Sequence, residues 1–415
     1  MSVSLLGDGV FLVALAWQVY QLSNAPTALS VVGVAMTLPH VSLLLVGGVV
    51  SDRLDRRRVM ILADIVRGLS VGALGALSIS GALRLWHVVG IAAMYGGATA
   101  FFGPAFDAIV PELVPPDQLG QANSLDQFVR PATLRLAGPA LGGWAIGVGG
   151  PGKAFLLDAA TFAASAAAIL RMSAAPLVST GLEEARSKGV SMVPGIQEGF
   201  RFVRRHVWLW GTFLAATVAY LLFMGPVEVL VPFVVKNDLR GSAAVLGYVF
   251  AMGGLGAIGG ALIVARHGIP RRHVTFMYLA WGFATFAVAG YGLARSSWQV
   301  MAASFAFNAL ETAGTIVWAT TKHRLVPGSL LGRVSSFDWF ISTGLVPISF
   351  ALTGPVAGAL GARATLVWAG AIGGVVTLAA LFLPGMRDIE RRGWLRRSRK
   401  ETVPPPASVS AAAPV

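Results

Sequence analysis

Long runs of apolar residues alternate with short polar segments along nearly the whole chain. Most runs are about 20 residues long, the length at which an α-helix crosses the hydrocarbon core of a bilayer. The pattern predicts twelve membrane-spanning helices. Their approximate bounds are residues 4–22, 27–50, 59–81, 86–108, 131–150, 153–172, 207–231, 243–264, 273–294, 297–320, 337–359 and 364–384.

The composition is that of a membrane protein. Apolar residues make up 55% of the chain and charged residues 12%, and the mean hydropathy is +0.70. A soluble domain carries about 25% charged residues, so this chain has too little polar surface to cover a water-soluble body. The 50 glycines suit close packing of helices in lipid. We therefore expect an all-α membrane protein.

Positive charge is distributed unevenly between the loops. Lys and Arg residues concentrate in the loops after spans two, six, eight and ten and in the C-terminal tail. The intervening loops hold Arg84, Lys153, Lys236, Arg240, Arg295 and Arg363. Because positive loops stay in the cytoplasm, we expect a multi-pass protein of the plasma (inner) membrane with both termini cytoplasmic. The net charge of +13 then indicates membrane topology rather than nucleic-acid binding.

The two halves of the chain resemble each other at a spacing near 212 residues. Leu113-Val114-Pro115 recurs as Leu325-Val326-Pro327, and Asp126 recurs as Asp338. Such a repeat predicts two pseudo-symmetric six-helix bundles with substrate held between them. The expected division is an N-terminal bundle (1–172), a cytoplasmic linker (173–206), a C-terminal bundle (207–384) and a basic, disordered cytoplasmic tail (385–415). Within the linker, residues 196–206 are expected to form an amphipathic helix on the membrane surface.

A glycine and charged residues follow a regular spacing between spans two and three. The segment runs Gly48-Val-Val-Ser-Asp52-Arg53-Leu-Asp55-Arg56-Arg57-Arg58. Here a glycine permits close helix packing, a carboxylate can cap or pair, and arginines can anchor the loop at anionic headgroups. The alternative is a simple positive-inside signal. The segment resembles the major facilitator signature G-x-x-x-D-R-x-G-R-R/K, and Asp55 in place of the second glycine resembles the enterobactin-exporter and macrolide-efflux branch.

Span five carries a second motif, Leu134-Arg135-Leu-Ala-Gly138-Pro139-Ala-Leu-Gly142-Gly143. It resembles the antiporter motif of major facilitator exporters, although ordinary glycine packing would also explain it. The strings Phe102-Gly-Pro104-Ala105 and Ala154-Phe155-Leu-Leu-Asp158-Ala-Ala-Thr161-Phe162 resemble the same branch. The resemblance implies a twelve-helix facilitator driven by a proton gradient. It departs in span four, which lacks the arginine of many drug–proton antiporters, and Arg67 in span three is the nearest substitute.

Several ionisable residues lie inside the predicted spans, where charge is costly and usually functional. The candidates for proton coupling are Asp8, His40, Glu228 and Glu311. Asp8 and Glu228 are expected at roughly matching places in the two halves. The alternative for each is a satisfied interhelical hydrogen bond.

Other charged residues of the spans are expected to have structural roles. Asp64 and Arg67 are three residues apart on one helix face and are expected to pair near the cytoplasmic end as a structural or gating element. The acidic residues expected near span ends, as caps or loop anchors, are Asp107, Asp126, Asp158 and Asp338.

Aromatic and amide side chains supply candidates for a substrate cavity, which would need apolar walls with a few polar groups. They are Trp17, Phe223, Asn308, Trp318 and Trp339. The alternative for the aromatic residues is contact with lipid or anchoring at the interface.

The sequence shows none of the motifs of an enzyme. It has no nucleotide-binding loop, zinc-ligand cluster or nucleophile elbow, and it has no cysteine. We expect a monomeric exporter of small hydrophobic or siderophore-like molecules that works by proton antiport, contacts lipid and binds no cofactor, metal or nucleic acid. The alternatives are a solute importer on the same fold and a non-transporting membrane receptor or assembly factor.

Overall fold

A computed structural model describes residues 2–115, 118, 121, 125–126, 129–171 and 192–391, and the ordered elements in these ranges are helices. A π-helical segment, Pro131–Ala137, precedes α5. The helices are α1 Ser2–Leu22, α2 Pro26–Arg53, α3 Arg56–Ile79, α4 Leu85–Leu113, α5 Gly138–Arg171, α6 Met192–Arg205, α7 Val207–Phe233, α8 Ala243–His267, α9 His273–Leu293, α10 Ser297–Leu325, α11 Gly328–Gly344, α12 Val346–Leu360, α13 Ala362–Ala380 and α14 Asp388–Arg391.

The helix α5 contains two membrane crossings. The apolar stretch Pro131–Arg171 has 41 residues, about twice the length that one crossing needs. At Gly150 the backbone has φ 78°, outside the helical region. Gly138 approaches Gly9 of α1, and Thr161 approaches the neighbouring Gly7, so the chain turns back at Gly150.

The predicted count of twelve spans is confirmed. Eleven helical stretches of the described chain are long and apolar enough to cross a membrane, and the reversal in α5 adds one crossing. The predicted bounds agree with the helices to within a few residues for most spans. The eleventh crossing is divided at Leu345 into α11 and α12.

Each half of the chain forms its own bundle. In the N-terminal half α2 packs on α4, and α1 and α3 each pack on α5. In the C-terminal half α10 packs on α8 and α9, and α13 packs on α7 and α9. Helices approach closely where glycines face backbone: a Cβ at Gly96 would lie 1.8 Å from the carbonyl oxygen of Met36, and one at Gly260 would lie 2.1 Å from that of Ala309.

The two bundles meet mainly through α2 with α12 and α5 with α8. We call the end of the molecule with the loops 23–25, 80–84 and 294–296 the short-loop side, and the opposite end, with the arginine-rich loops, the basic side. Near the short-loop side one apolar core includes Val19 and Val32 of the first half with Val231 and Phe350 of the second. Toward the basic side each half has a separate core. The halves are therefore joined at the short-loop side.

The linker helix α6 packs on its own half of the protein. Glu198 forms an ion pair with Arg333 of α11, and the rings of Phe200 and Phe337 lie 6.2 Å apart. The linker helix therefore packs against α11. This contact was not predicted and comes in addition to the predicted placement on the membrane surface. The remainder of the predicted linker, residues 173–191, lies outside the described residues.

The start of the predicted tail is ordered, which corrects the expectation of disorder for residues 385–391. Glu390 Oε1 accepts a hydrogen bond of 2.8 Å from the Thr275 backbone N–H, and Oε2 accepts one of 2.9 Å from Thr275 Oγ1. A carboxylate at this place satisfies a free N–H of the first turn of α9. Residues 392–415 lie outside the described residues.

Candidate functional site

Arg67 of α3 is at the centre of a buried charged cluster in the N-terminal half. Its Nη2 lies 2.5 Å from Asp64 Oδ1, and its Nη1 lies 3.9 Å from Asp8 Oδ2 on α1. The guanidinium also stacks on Phe102 and Phe162, at 4.3 and 4.6 Å from the ring centroids. The predicted pair of Asp64 and Arg67 is confirmed, but it extends to α1, α4 and α5 rather than remaining local.

A third carboxylate belongs to the same cluster. Asp158, in the second crossing of α5, is fully buried, and its Oδ1 accepts a hydrogen bond of 3.2 Å from Thr161 Oγ1. A Cβ at Gly7 would lie 2.1 Å from both of these oxygens, so the glycine lets α1 pack directly on them. Asp8 in turn accepts a hydrogen bond of 2.5 Å from the Tyr95 hydroxyl. We call Asp8, Asp64, Arg67, Tyr95 and Asp158 the N-half cluster.

In the N-half cluster Asp8 and Asp64 form ion pairs with the guanidinium of Arg67, and Asp158 interacts with it electrostatically. Asp64 and Asp158 have no solvent exposure, and the Oδ2 atom of each accepts no hydrogen bond from the described residues. An uncompensated buried charge is costly. An arrangement with more carboxylates than cations in such a place can hold and release protons.

Sequence reasoning misplaced Asp158, which it treated as a cap or loop anchor near a span end. The structure places the residue eight positions beyond the turn at Gly150, where it faces α1. Two signals were available: the spacing of three between Asp158 and Thr161, and the glycine that precedes Asp8. They were missed because contact between spans one and six is not visible in local spacing.

Glu228 of α7 lies between the two bundles and is solvent-exposed. The charged group that acts on it is Arg135, from the π-helical segment of the other half. By the 212-residue spacing, the counterpart of Asp8 is Tyr220, and Glu228 corresponds to Ala16. By this spacing Asp8 and Glu228 lie about two helical turns apart along their spans.

Glu311 of α10 faces a cavity inside the C-terminal bundle, between α7, α9, α10 and α13. The space between atoms there is about 480 Å³, part of it open to solvent. Its walls are mainly aromatic and small apolar side chains, including Phe223 and Phe307. Thr315 Oγ1 donates a hydrogen bond of 2.9 Å to Glu311 Oε1, and no ion pair to Glu311 forms among the described residues.

Of the five predicted cavity residues, Phe223 lines this cavity and the others lie elsewhere. Trp17 lies near the short-loop side with Lys236 Nζ 5.9 Å from its ring. Asn308 donates a hydrogen bond of 2.9 Å to the Ser304 carbonyl. Trp318 is buried and donates one of 3.1 Å to Asp338, whereas Trp339 is 65% exposed on the surface. Aromatic content alone could not separate these environments.

His40 of α2 lies apart from these groups. Its ring is beside Gly96 of α4, and no contact among the described residues joins it to the N-half cluster.

The charged loop between α2 and α3 ties helix ends together. Asp55 caps α3 by accepting from the backbone N–H of Arg57 at 2.9 Å. Arg56 Nη1 donates to the Ala108 carbonyl of α4 at 3.1 Å, and Arg57 Nε donates to the Ile169 carbonyl of α5 at 2.8 Å. The two arginines thus bind carbonyls at helix C-termini rather than serving only as headgroup anchors.

The glycines and the first two charged residues of this loop motif differ in their surroundings. Gly47, whose Cβ would lie 2.3 Å from the Ala100 carbonyl, is the closely packed glycine, and Gly48 has open space beside it. Arg53 is exposed, and the Asp52 side chain lies outside the described residues.

The motif of span five forms a flat seam between helices. A Cβ at Gly138 would lie 2.7 Å from Gly9 Cα, and one at Gly142 would lie 2.9 Å from Val10 Cα. On the other side of the helix, a Cβ at Gly247 of α8 would lie 2.5 Å from the Pro139 carbonyl. The first crossing of α5 therefore packs by its backbone on both α1 and α8, and α8 belongs to the other half.

Comparison with known proteins places this architecture among transporters. A family model described as transmembrane secretion effector matches residues 2–404. The multidrug efflux pump Tap of Mycolicibacterium fortuitum is 28% identical over 393 residues, which are 92% of this chain and 94% of Tap. Macrolide efflux protein A of Streptococcus pyogenes is 22% identical over 395 residues, or 94% and 95% of the two chains.

Solved structures agree on the fold. A bacterial homologue of the iron transporter ferroportin, in an inward-facing state, superposes with a TM-score of 0.65 at 15% identity, covering 91% of this chain and 96% of that one. The protein is a multi-pass membrane transporter and not an enzyme, and its efflux relatives cover nearly its whole length. The chain belongs to the transmembrane secretion effector family of the major facilitator superfamily.

Proposed function

We propose that the protein exports small hydrophobic molecules in exchange for protons. Both efflux relatives named above match more than nine-tenths of the chain. The described residues form no group of acidic, histidine or cysteine side chains suited to hold a metal. In this proposal the proton gradient supplies the energy for export.

The observation that carries proton coupling is the surplus of carboxylates in the N-half cluster. Asp8 is the member through which protons enter, because its side chain is 16% exposed while that of Asp64 has no exposure. Asp8 is also the more weakly held partner of Arg67, at 3.9 Å against 2.5 Å. Loss or gain of a proton at Asp8 changes its attraction to Arg67 and therefore the ion pair that joins α1 to α3.

Alternating access is proposed from the contacts between the halves. On the short-loop side the Tyr20 hydroxyl donates a hydrogen bond of 2.7 Å to the Val229 carbonyl, and Lys236 donates to the Tyr20 carbonyl. Positive loops face the cytoplasm, which puts the basic side and both termini there. In the proposed cycle the contacts of the short-loop side close the transporter toward the exterior, and the halves part at the basic side to take up substrate from the cytoplasm.

The test is transport by the purified full chain in liposomes, with the macrolide erythromycin as the probe. An imposed proton gradient is expected to drive erythromycin against its concentration gradient, out of the compartment that the basic side faces. Asp8→Asn is expected to abolish this gradient-driven movement. Asp388→Asn, the same chemical change at an exposed site in the other half, serves as the matched control.

Three results would reject parts of the proposal. Efflux that persists unchanged when the proton gradient is collapsed would reject coupling. Full gradient-driven transport by Asp8→Asn would reject the role of the N-half cluster. Net movement of erythromycin toward the basic side under the same gradient would indicate an importer.

A further inference from the structure

The linker helix α6 lies at the level where membrane-spanning helices begin. Its last residue, Arg205, is separated from the spanning helix α7 by His206 alone. The backbone at His206 is extended, with φ −118° and ψ 106°, so the chain changes direction between the two helices. The contacts of α6 with α11 are made at Arg333 and Phe337, inside the apolar stretch Leu330–Leu360. The helix α6 therefore lies beside the entry of α7 and α11 into the bilayer.

One face of α6 is covered by the protein. Val203 is 6% exposed and belongs to the core of the C-terminal half on the basic side. A Cβ at Gly199 would lie 2.9 Å from Arg333 Cβ. Because Gly199 and Val203 are four residues apart, they lie on the same face of the helix. Packing thus fixes which face of α6 meets the protein, and the opposite face points away from it.

The opposite face of α6 is basic. Arg204 and Arg205 follow Arg201 by three and four residues, so the three side chains share a face. With 3.6 residues per turn, this face lies opposite Gly199 and Val203. We call Arg201, Arg204 and Arg205 the linker arginines. All three are exposed, and none of them forms a hydrogen bond or an ion pair with another described residue.

Other arginines of the basic side have partners within the protein. Arg56 and Arg57 bind carbonyls of α4 and α5, and Arg333 binds Glu198. The linker arginines therefore present three unpaired guanidinium groups at headgroup depth. Each guanidinium is a planar fork of donors that matches the geometry of a phosphate. Phe200, which is 55% exposed at the edge of the same face, adds an aromatic ring of the kind that inserts at the boundary between headgroups and acyl chains.

We propose that the linker arginines bind the phosphate groups of anionic phospholipid, and that Phe200 packs on the upper part of its acyl chains. A lipid such as phosphatidylglycerol carries an unopposed negative charge, whereas the phosphate of phosphatidylcholine is accompanied by a cationic group. Basic segments beside a spanning helix are attracted to anionic lipid for this reason. Because α6 packs on α11 and leads directly into α7, bound lipid would hold the basic-side ends of both helices at the membrane surface.

The test is lipid binding to the delipidated full chain in detergent, with native mass spectrometry to count the lipids bound at each concentration. Phosphatidylglycerol is the probe, and phosphatidylcholine with the same acyl chains is the headgroup control. The wild type is expected to bind phosphatidylglycerol more tightly than phosphatidylcholine. Replacing all three linker arginines by glutamine is expected to weaken phosphatidylglycerol binding about 100-fold, since each arginine near an anionic surface contributes roughly fivefold.

Two further variants separate this site from the general positive charge of the basic side. Replacing the linker arginines by lysine keeps the charge and is expected to retain most of the affinity. The matched control replaces by glutamine three other exposed arginines of the same side, at the end of α8 and in the loop before α9, which are Arg266, Arg271 and Arg272. This control is expected to bind phosphatidylglycerol within about threefold of the wild type, because its charges are not arranged on one helix face.

Four results would overturn the inference. The first is unchanged phosphatidylglycerol binding when the linker arginines are replaced by glutamine, which would leave an acidic protein as the partner of this face. The second is an equal loss in the control variant, and the third is equal binding of phosphatidylcholine by the wild type. The fourth is full competition by glycerol 1-phosphate at the same concentration, which would indicate a site for soluble phosphate. None of these results bears on export or on proton coupling by the N-half cluster.

Discussion

Replacement of Arg67 by methionine tests the N-half cluster most directly. Arg67 is 3% exposed and Asp64 is fully buried, so the substitution leaves a carboxylate in the interior without its cation. Methionine fills much of the space of the side chain, which keeps the loss of packing small. Removing one partner of a buried ion pair costs about 3–5 kcal/mol, and we expect a loss of that size in the free energy of unfolding.

The magnitude can be checked by a double-mutant cycle. Asp64→Asn removes the charge that Arg67→Met leaves unpaired, so the double variant is expected to recover a large part of the lost stability. The control is Arg58→Met, because the ion pair of Arg58 with Asp55 has a separation of 3.6 Å and side chains 87% and 53% exposed. An exposed pair contributes about 0–1 kcal/mol.

Unfolding of the purified chain in mixed micelles by increasing denaturing detergent supplies the measurement, with helical circular dichroism as the signal. If Arg67→Met loses no more stability than Arg58→Met, Arg67 does not compensate buried charge. If Asp64→Asn fails to restore the Arg67→Met variant, the carboxylate that needs the guanidinium is not Asp64. Either result would remove the basis for assigning proton exchange to Asp8 and its neighbours.

Two other predictions follow from helix contacts. Gly96→Ala places a methyl group where the nearest atom is a carbonyl oxygen at 1.8 Å, so we expect it to destabilise the chain by about 1–3 kcal/mol. Gly90→Ala is the control, because Gly90 has open space beside it, and we expect no destabilisation. Equal unfolding curves for the two variants would contradict this prediction. Tyr20→Phe removes the 2.7 Å hydrogen bond to the Val229 carbonyl and is expected to open the short-loop side. Because the chain has no natural cysteine, the opening can be measured as faster thiol labelling of a Ser30→Cys variant. Unchanged labelling would show that this bond does not hold the halves together.

Much of the fold could be read from the sequence, because the signals for it are local. A run of apolar residues is long enough to cross a bilayer or it is not, and the repeat relates the two halves without knowledge of contacts. The pair of Asp64 and Arg67 was predicted for the same reason, since residues three apart on a helix meet. The cap at Asp55 also follows from its position just before α3.

Contacts between distant spans could not be predicted in this way. Asp158 joins the cluster because the second crossing of α5 returns to the level of Gly7, and nothing in the spacing of the chain specifies that depth. Glu228 was matched to Asp8 because both are carboxylates in corresponding spans, but equal chemistry does not imply equal height along the helix. Trp318 is a core residue held by Asp338, a fact that depends on which way its ring turns.

The seam between α5 and α8 has a mechanical consequence. Where Gly143, Pro139 and Gly247 meet, the backbone of one bundle packs directly on the backbone of the other. Two such surfaces can rotate or slide against each other without first repacking side chains between them. The same close approach leaves no space between the helices, so even one added methyl group would clash and fix the angle between the two halves.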